Sequence, residues 1–94
     1  MHPGEVLRSE FLGPSNVSAS ALAKTCALPR NRIVRIASEQ TGITAETALR
    51  VAKALGTTGG LWLNLQTDYD VQIVRRVLGK VLDRIATANK PKAA

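Results

Sequence analysis

Two helices joined by a tight turn are written between Ser18 and Ala37, and no other stretch of the chain restricts the fold as narrowly. The first would run through Ser18-Ala19-Ser20-Ala21-Leu22-Ala23-Lys24-Thr25-Cys26-Ala27-Leu28, and the second through Pro29-Arg30-Asn31-Arg32-Ile33-Val34-Arg35-Ile36-Ala37. Leu22, Ala23, Cys26, Leu28, Ile33 and Ile36 fall where two helices linked by a turn of about four residues must touch, the packing of a helix-turn-helix. Ala23 matters most, because a larger side chain at the closest approach would push the helices out of their crossing angle. Pro29 suits the first position of the second helix, where a backbone N–H would have no partner within the helix.

Such a motif reads DNA through its second helix. With Ile33 and Ile36 as the buried stripe, a step of about 100° per residue turns Asn31, Val34, Arg35 and Ser38 to the opposite face. Asn31 can pair bidentately with adenine and Arg35 with guanine, which makes these two the leading candidates for base reading, with Val34 and Ser38 beside them. Arg30, at the exposed N-terminus of the helix, suits a base or a phosphate. Lys24 and Arg32 suit phosphates, as do Ser18, Ser20 and Thr44 near helix starts. No acid lies between Phe11 and Ser38, and 13 Lys and Arg against 7 Asp and Glu leave a net charge of +6, which favours a polyanionic partner.

A chain of 94 residues makes one domain with a modest core. No apolar run approaches the ~20 residues of a spanning helix, and Met1-His2-Pro3-Gly4-Glu5 lacks the features of a signal peptide, so a cytoplasmic protein with no membrane partner is expected. One cysteine and one histidine provide neither a disulfide framework nor a zinc site, so no metal and no cofactor is expected. Cys26 reads as a small buried hydrophobe and His2 as part of a loose N-terminus. Paired carboxylates at catalytic spacing, a phosphate loop and a nucleophile motif are missing, which argues against an enzyme.

The remaining elements read as helices. The first spans about Pro3 to Leu12, with Val6, Leu7 and Phe11 on one face and Gly13-Pro14 as its stop. Asn16 tolerates a left-handed turn, and Ser18 caps the second helix. Thr44 caps a fourth helix from Ala45 to Leu55, with Ala48, Leu49, Val51, Ala52 and Leu55 toward the core and Gly56 as its stop. Thr58 caps a fifth, containing Leu61, Trp62, Leu65 and Tyr69. From Val71, the spacing of Val71, Val74, Leu78, Val81 and Ile85, widened by Val77 and Leu82, is coiled-coil-like, so this seam either folds back on the domain or pairs with another chain. Trp62, Leu65, Tyr69, Val74, Leu78 and Val81 are the dimer candidates, although Trp62 and Tyr69 suit the core equally. The division is therefore 1–70 for the helix-turn-helix domain (motif 18–37), 71–87 for a C-terminal amphipathic helix, and 88–94 for a flexible basic tail.

His2-Pro3-Gly4-Glu5-Val6-Leu7, Ala21-Leu22-Ala23 with Pro29-Arg30-Asn31-Arg32-Ile33, Gly42-Ile43-Thr44-Ala45 through Ala48-Leu49-Arg50, and Trp62-Leu63-Asn64-Leu65-Gln66 with Tyr69-Asp70 together resemble the HigA/VapI family of antitoxins. These belong to the phage-repressor-like (XRE/Cro) helix-turn-helix class. The resemblance covers about three quarters of the chain and implies an all-α, five-helix domain. It also implies a bacterial or archaeal cytosolic antitoxin that binds operator DNA as a homodimer, represses its own operon and neutralises a HigB toxin, a RelE-like ribonuclease of ribosome-bound mRNA. Ala27 stands where such proteins usually have a turn glycine, so the turn either avoids positive φ or carries strain. Two rival readings keep the fold: a stand-alone repressor without a toxin, and a protein-interaction module whose basic face meets an acidic protein.

Overall fold

A computed structural model describes residues 1–88. Every regular element among them is helical: α1 (Pro3–Val6), which runs on through a π-helical stretch at Leu7–Leu12, then α2 (Ala19–Cys26), α3 (Arg30–Ala37), α4 (Ala45–Leu55) and α5 (Gly59–Asp83). This is the expected all-α, five-helix helix-turn-helix domain with an extended C-terminal helix.

Local chemistry sets most of the boundaries. Ser18 accepts the Ala21 N–H at 3.0 Å, Thr44 the Thr47 N–H at 3.4 Å and Thr58 the Leu61 N–H at 3.2 Å, so each of these three helices begins on a hydroxyl cap. The Thr58 cap prevails over the weak first turn of Gly59-Gly60. Gly56 ends α4 at φ 70°, a left-handed position that glycine takes without steric cost. Pro29 is the N-cap of α3 rather than its first residue, so the helix begins one position later than expected.

The turn between α2 and α3 carries strain. Ala27 sits at φ 57° and ψ 44°, a left-handed conformation costing an alanine about 1 kcal/mol. Hydrogen bonding holds it there: the Leu28 N–H reaches back to the Ala23 carbonyl at 2.9 Å, and the Arg50 guanidinium donates to the Cys26 carbonyl at 3.0 Å. Cys26 itself is buried, its thiol directed at the Arg50 carbonyl, and burial raises its pKa, as suits an inert core cysteine.

The core joins Leu7, Leu22, Ala23, Cys26, Ile33, Ile36, Ile43, Ala48, Val51, Ala52 and Trp62. Two expectations, for Leu49 and His2, are corrected here, and the choice left open for Trp62 is decided. Leu49 is 63% exposed: on a helical wheel it lies about 60° beyond Ala52, at the margin of the buried face, and it rests on the start of α5 beside Gly59. Trp62 is 0% exposed, donates its indole N–H to Thr57 Oγ1 at 2.8 Å and packs on Phe11, so it is a core residue and not an interface anchor. His2 is no loose end: it is buried, and its ring caps α1.

Past Asp70 the helix continues without a break to Asp83, so uninterrupted helix joins segments 1–70 and 71–87 and the helical part stops four residues short of 87. Gly79 is accommodated within it. The projecting half of α5 stretches the molecule to 51 Å along its longest axis. The tail assigned to 88–94 lies, from 89 onward, outside the described residues.

Candidate nucleic-acid interface

The exposed face of α3 is built on two fully internal side chains. Ile33 and Ile36 are 0% and 1% exposed, which fixes the rotation of the helix and leaves Arg30, Asn31, Arg32 and Arg35 outside, with Val34 half-buried on its flank. Asn31, Arg32 and Arg35 line one wall of an open groove of about 380 Å³, whose other wall is Thr41, Gly42, Thr44, Glu46 and Thr47 from the loop before α4 and its first turn.

Helix starts surround this face. Arg30 donates through Nε to Ser20 Oγ at 2.7 Å, joining the N-terminal ends of α2 and α3. Lys24 lies one turn along α2 from Ser20, on the same exposed stripe. On the other side, the α4 cap Thr44 opens onto the groove. Backbone N–H groups at helix N-termini and the dipoles behind them favour negative charge, so the three starts and the cations form a surface suited to phosphates around a helix suited to base edges.

Several candidates have duties inside the fold. The oxygens of Ser18 and Thr44 serve as caps, and the Ser38 hydroxyl donates to the Val34 carbonyl at 2.8 Å, leaving only its lone pairs for a partner. Arg32 Nη1 lies 4.0 Å from Glu46 Oε2, and Glu46 also meets Arg50 Nε at 3.4 Å. These pairs are exposed and worth little, so Arg32 remains able to exchange a carboxylate for a phosphate.

Three supporting residues escaped the sequence reading. Arg50 braces the strained turn of the motif. Gln66 accepts the Ile43 N–H at 2.7 Å and donates to Asp70 at 2.9 Å, tying the groove loop to α5; a side chain at Gly42 would collide with it. Arg8 donates to the Ala37 carbonyl and pairs with Glu39 at 3.1 Å, holding the end of α3. Arg50 and Gln66 lay within motifs and Arg8 did not, and each acts through contacts remote in sequence.

Of the dimer candidates, Leu65 is half-buried against the core and Tyr69 half-buried against His2. Val74, Leu78 and Val81 are 49%, 36% and 50% exposed, and Val71, Val77, Leu82 and Ile85 are exposed with them, so the seam does not fold back on its own domain. No described helix is long and apolar enough to cross a membrane, and no group of three or more described His, Cys, Asp or Glu residues could hold a metal ion.

No family model matches the chain. Virulence-associated protein I of Dichelobacter nodosus is 47% identical over 76 residues, which are 81% of this chain and 70% of the relative. An addiction module antidote protein of the HigA family from Coxiella burnetii superposes with a TM-score of 0.87 at 43% identity, covering 95% of this chain and 97% of that one. The antitoxin HigA of Pseudomonas aeruginosa, solved with the higBA promoter, gives a TM-score of 0.89 at 33% identity over 95% and 98% of the two chains.

Proposed function

Because the chain belongs to the HigA family of antitoxins, among the helix-turn-helix regulators, we propose that it binds operator DNA as a symmetric dimer, represses its own operon and neutralises a RelE-like, mRNA-cleaving toxin of the HigB type. The site of action is the cytoplasm, at the operator on the nucleoid. The observation that carries this reading is the face of α3: Asn31 and Arg35 point outward from a helix locked by Ile33 and Ile36, inside a frame of three helix starts. The Pseudomonas relative solved with its promoter supports the DNA half, and family membership supports the toxin half.

Base reading and phosphate anchoring are assigned to different residues of one helix, which makes the proposal testable by substitution. Arg35→Ala and Asn31→Ala are expected to weaken operator binding by about 1–3 kcal/mol each and to leave binding to random DNA nearly intact. Arg32→Ala, at the wall of the groove, should weaken both by a similar factor. All three side chains are exposed, so folding should survive. Competition between operator and random duplexes reads the difference, and equal losses on both for Arg35→Ala would mean that α3 presents another face. Co-purification of a small basic ribonuclease-like protein encoded beside this one tests the toxin half.

A further inference from the structure

His2 is 5% exposed and joins α1 to α5. Its Nδ1 accepts the Gly4 N–H at 2.8 Å, capping α1, and its ring meets that of Tyr69 on α5 edge-on, with centroids 4.8 Å apart at 79°. The cap sets the path of the next two residues, and the backbone of Gly4 comes to rest against the carbonyl of Ile36. A Cβ on Gly4 would lie 1.8 Å from that oxygen, so only glycine fits. The same carbonyl accepts the Glu39 N–H at 3.0 Å, at the point where α3 ends. One turn further on, Arg8 donates to the Ala37 carbonyl. Buried apolar contacts alone thus do not hold the C-terminal half of α3, which bears Arg35; the N-terminal segment is clamped onto it.

We propose that His2 is a positioning residue for DNA reading: by capping α1 and packing on Tyr69 it seats Gly4 beneath the Ile36 carbonyl, and so sets where Arg35 stands. This rests on the operator-binding reading above. Being buried, His2 makes no contact with DNA and acts through α3. A purely structural role and a positioning role leave different traces. A loss of folded protein lowers binding to every duplex by the same factor, whereas a displaced α3 loses base contacts and keeps phosphate contacts.

The test uses the full chain with His2→Ala and His2→Asn, measuring the ratio of operator to random-duplex affinity, and amide hydrogen exchange at Glu39 and Gln40 in the free protein. His2→Ala is expected to lower the ratio on the order of tenfold and to speed exchange at both amides. Asn can accept the Gly4 N–H as an N-cap but has no ring for Tyr69, so His2→Asn should recover part of the ratio and fall between the other two. It carries the test alone if His2→Ala does not fold. A wild-type ratio with wild-type exchange in the folded variants overturns the inference, as does an equal loss on both duplexes. Should the wild-type protein show no operator preference, the operator reading falls, and the exchange rates, which involve no DNA, still decide whether His2 holds the end of α3.

Discussion

Glutamate at both Val74 and Val81 is expected to dissociate the dimer and to take operator binding with it. On a helical wheel Val71, Val74, Val77, Leu78, Val81 and Leu82 fall within an arc of about 140°, and all are exposed in the single chain. A stripe of this width on a projecting helix is the surface a second copy would cover, and a two-fold axis would bring each valine into the interface twice. Fully burying a valine contributes about 1.5 kcal/mol or more, and Val74 and Val81 are already about half-buried, so losing four half-burials costs about 3 kcal/mol and weakens the dimer by roughly 10²-fold, before the larger cost of placing carboxylates in an apolar seam. The monomer fold should be untouched, because neither side chain belongs to the core. Sedimentation velocity should show a shift from dimer to monomer with unchanged helical circular dichroism. A sedimentation profile equal to that of the wild type would make the end of α5 a solvated extension and remove the basis for the dimer.

Operator affinity should also fall steeply with salt. If Lys24, Arg30, Arg32 and one further cation each neutralise a phosphate, a dimer makes about eight such contacts, and log K against log salt should have a slope near −7. Between 50 and 200 mM salt that is a loss of about four orders of magnitude. The structure sets a limit on this count. Arg32 has Glu46 at 4.0 Å, and Arg50, which pairs with the same carboxylate, is committed to the Cys26 carbonyl. Exposed pairs of this kind open readily for a phosphate, so the steep slope stands. A slope shallower than about −3 would mean that the cations around α3 do not lie on the backbone of the duplex.

What could be read from the chain was whatever depends on near neighbours. Ser18, Thr44 and Thr58 announce helix starts because a hydroxyl three residues before a free N–H is a local signal, and Gly56 announces a stop for a similar reason. Ile33 and Ile36 give the rotation of α3 because helical period alone turns Asn31 and Arg35 away from them. The family resemblance supplied the fold as a whole. What could not be read depends on contacts across the fold. His2 is separated by 67 residues from the Tyr69 ring it packs on, and Arg8 by 29 from the carbonyl it binds. Periodicity placed Leu49 in the core because the apolar arc of α4 is wider than the surface its neighbours cover. For Trp62, an aromatic at an α5 position could equally face a partner or the interior, and Thr57 as acceptor for its indole N–H decides for the interior. The π-helical geometry at Leu7–Leu12 has no signature in the residues themselves.

If α3 reads DNA sequence from a two-fold dimer, a hydroxyl-radical footprint on the DNA preceding the protein's own gene will show it. Each chain carries one α3, and a two-fold pair would set its two copies into successive major grooves on one side of the duplex. Two protected patches over an inverted repeat are expected, with centres roughly 10 base pairs apart, and they should persist against excess random competitor. Protection of a single patch, or protection that random DNA removes as readily as the same sequence does, would contradict that reading.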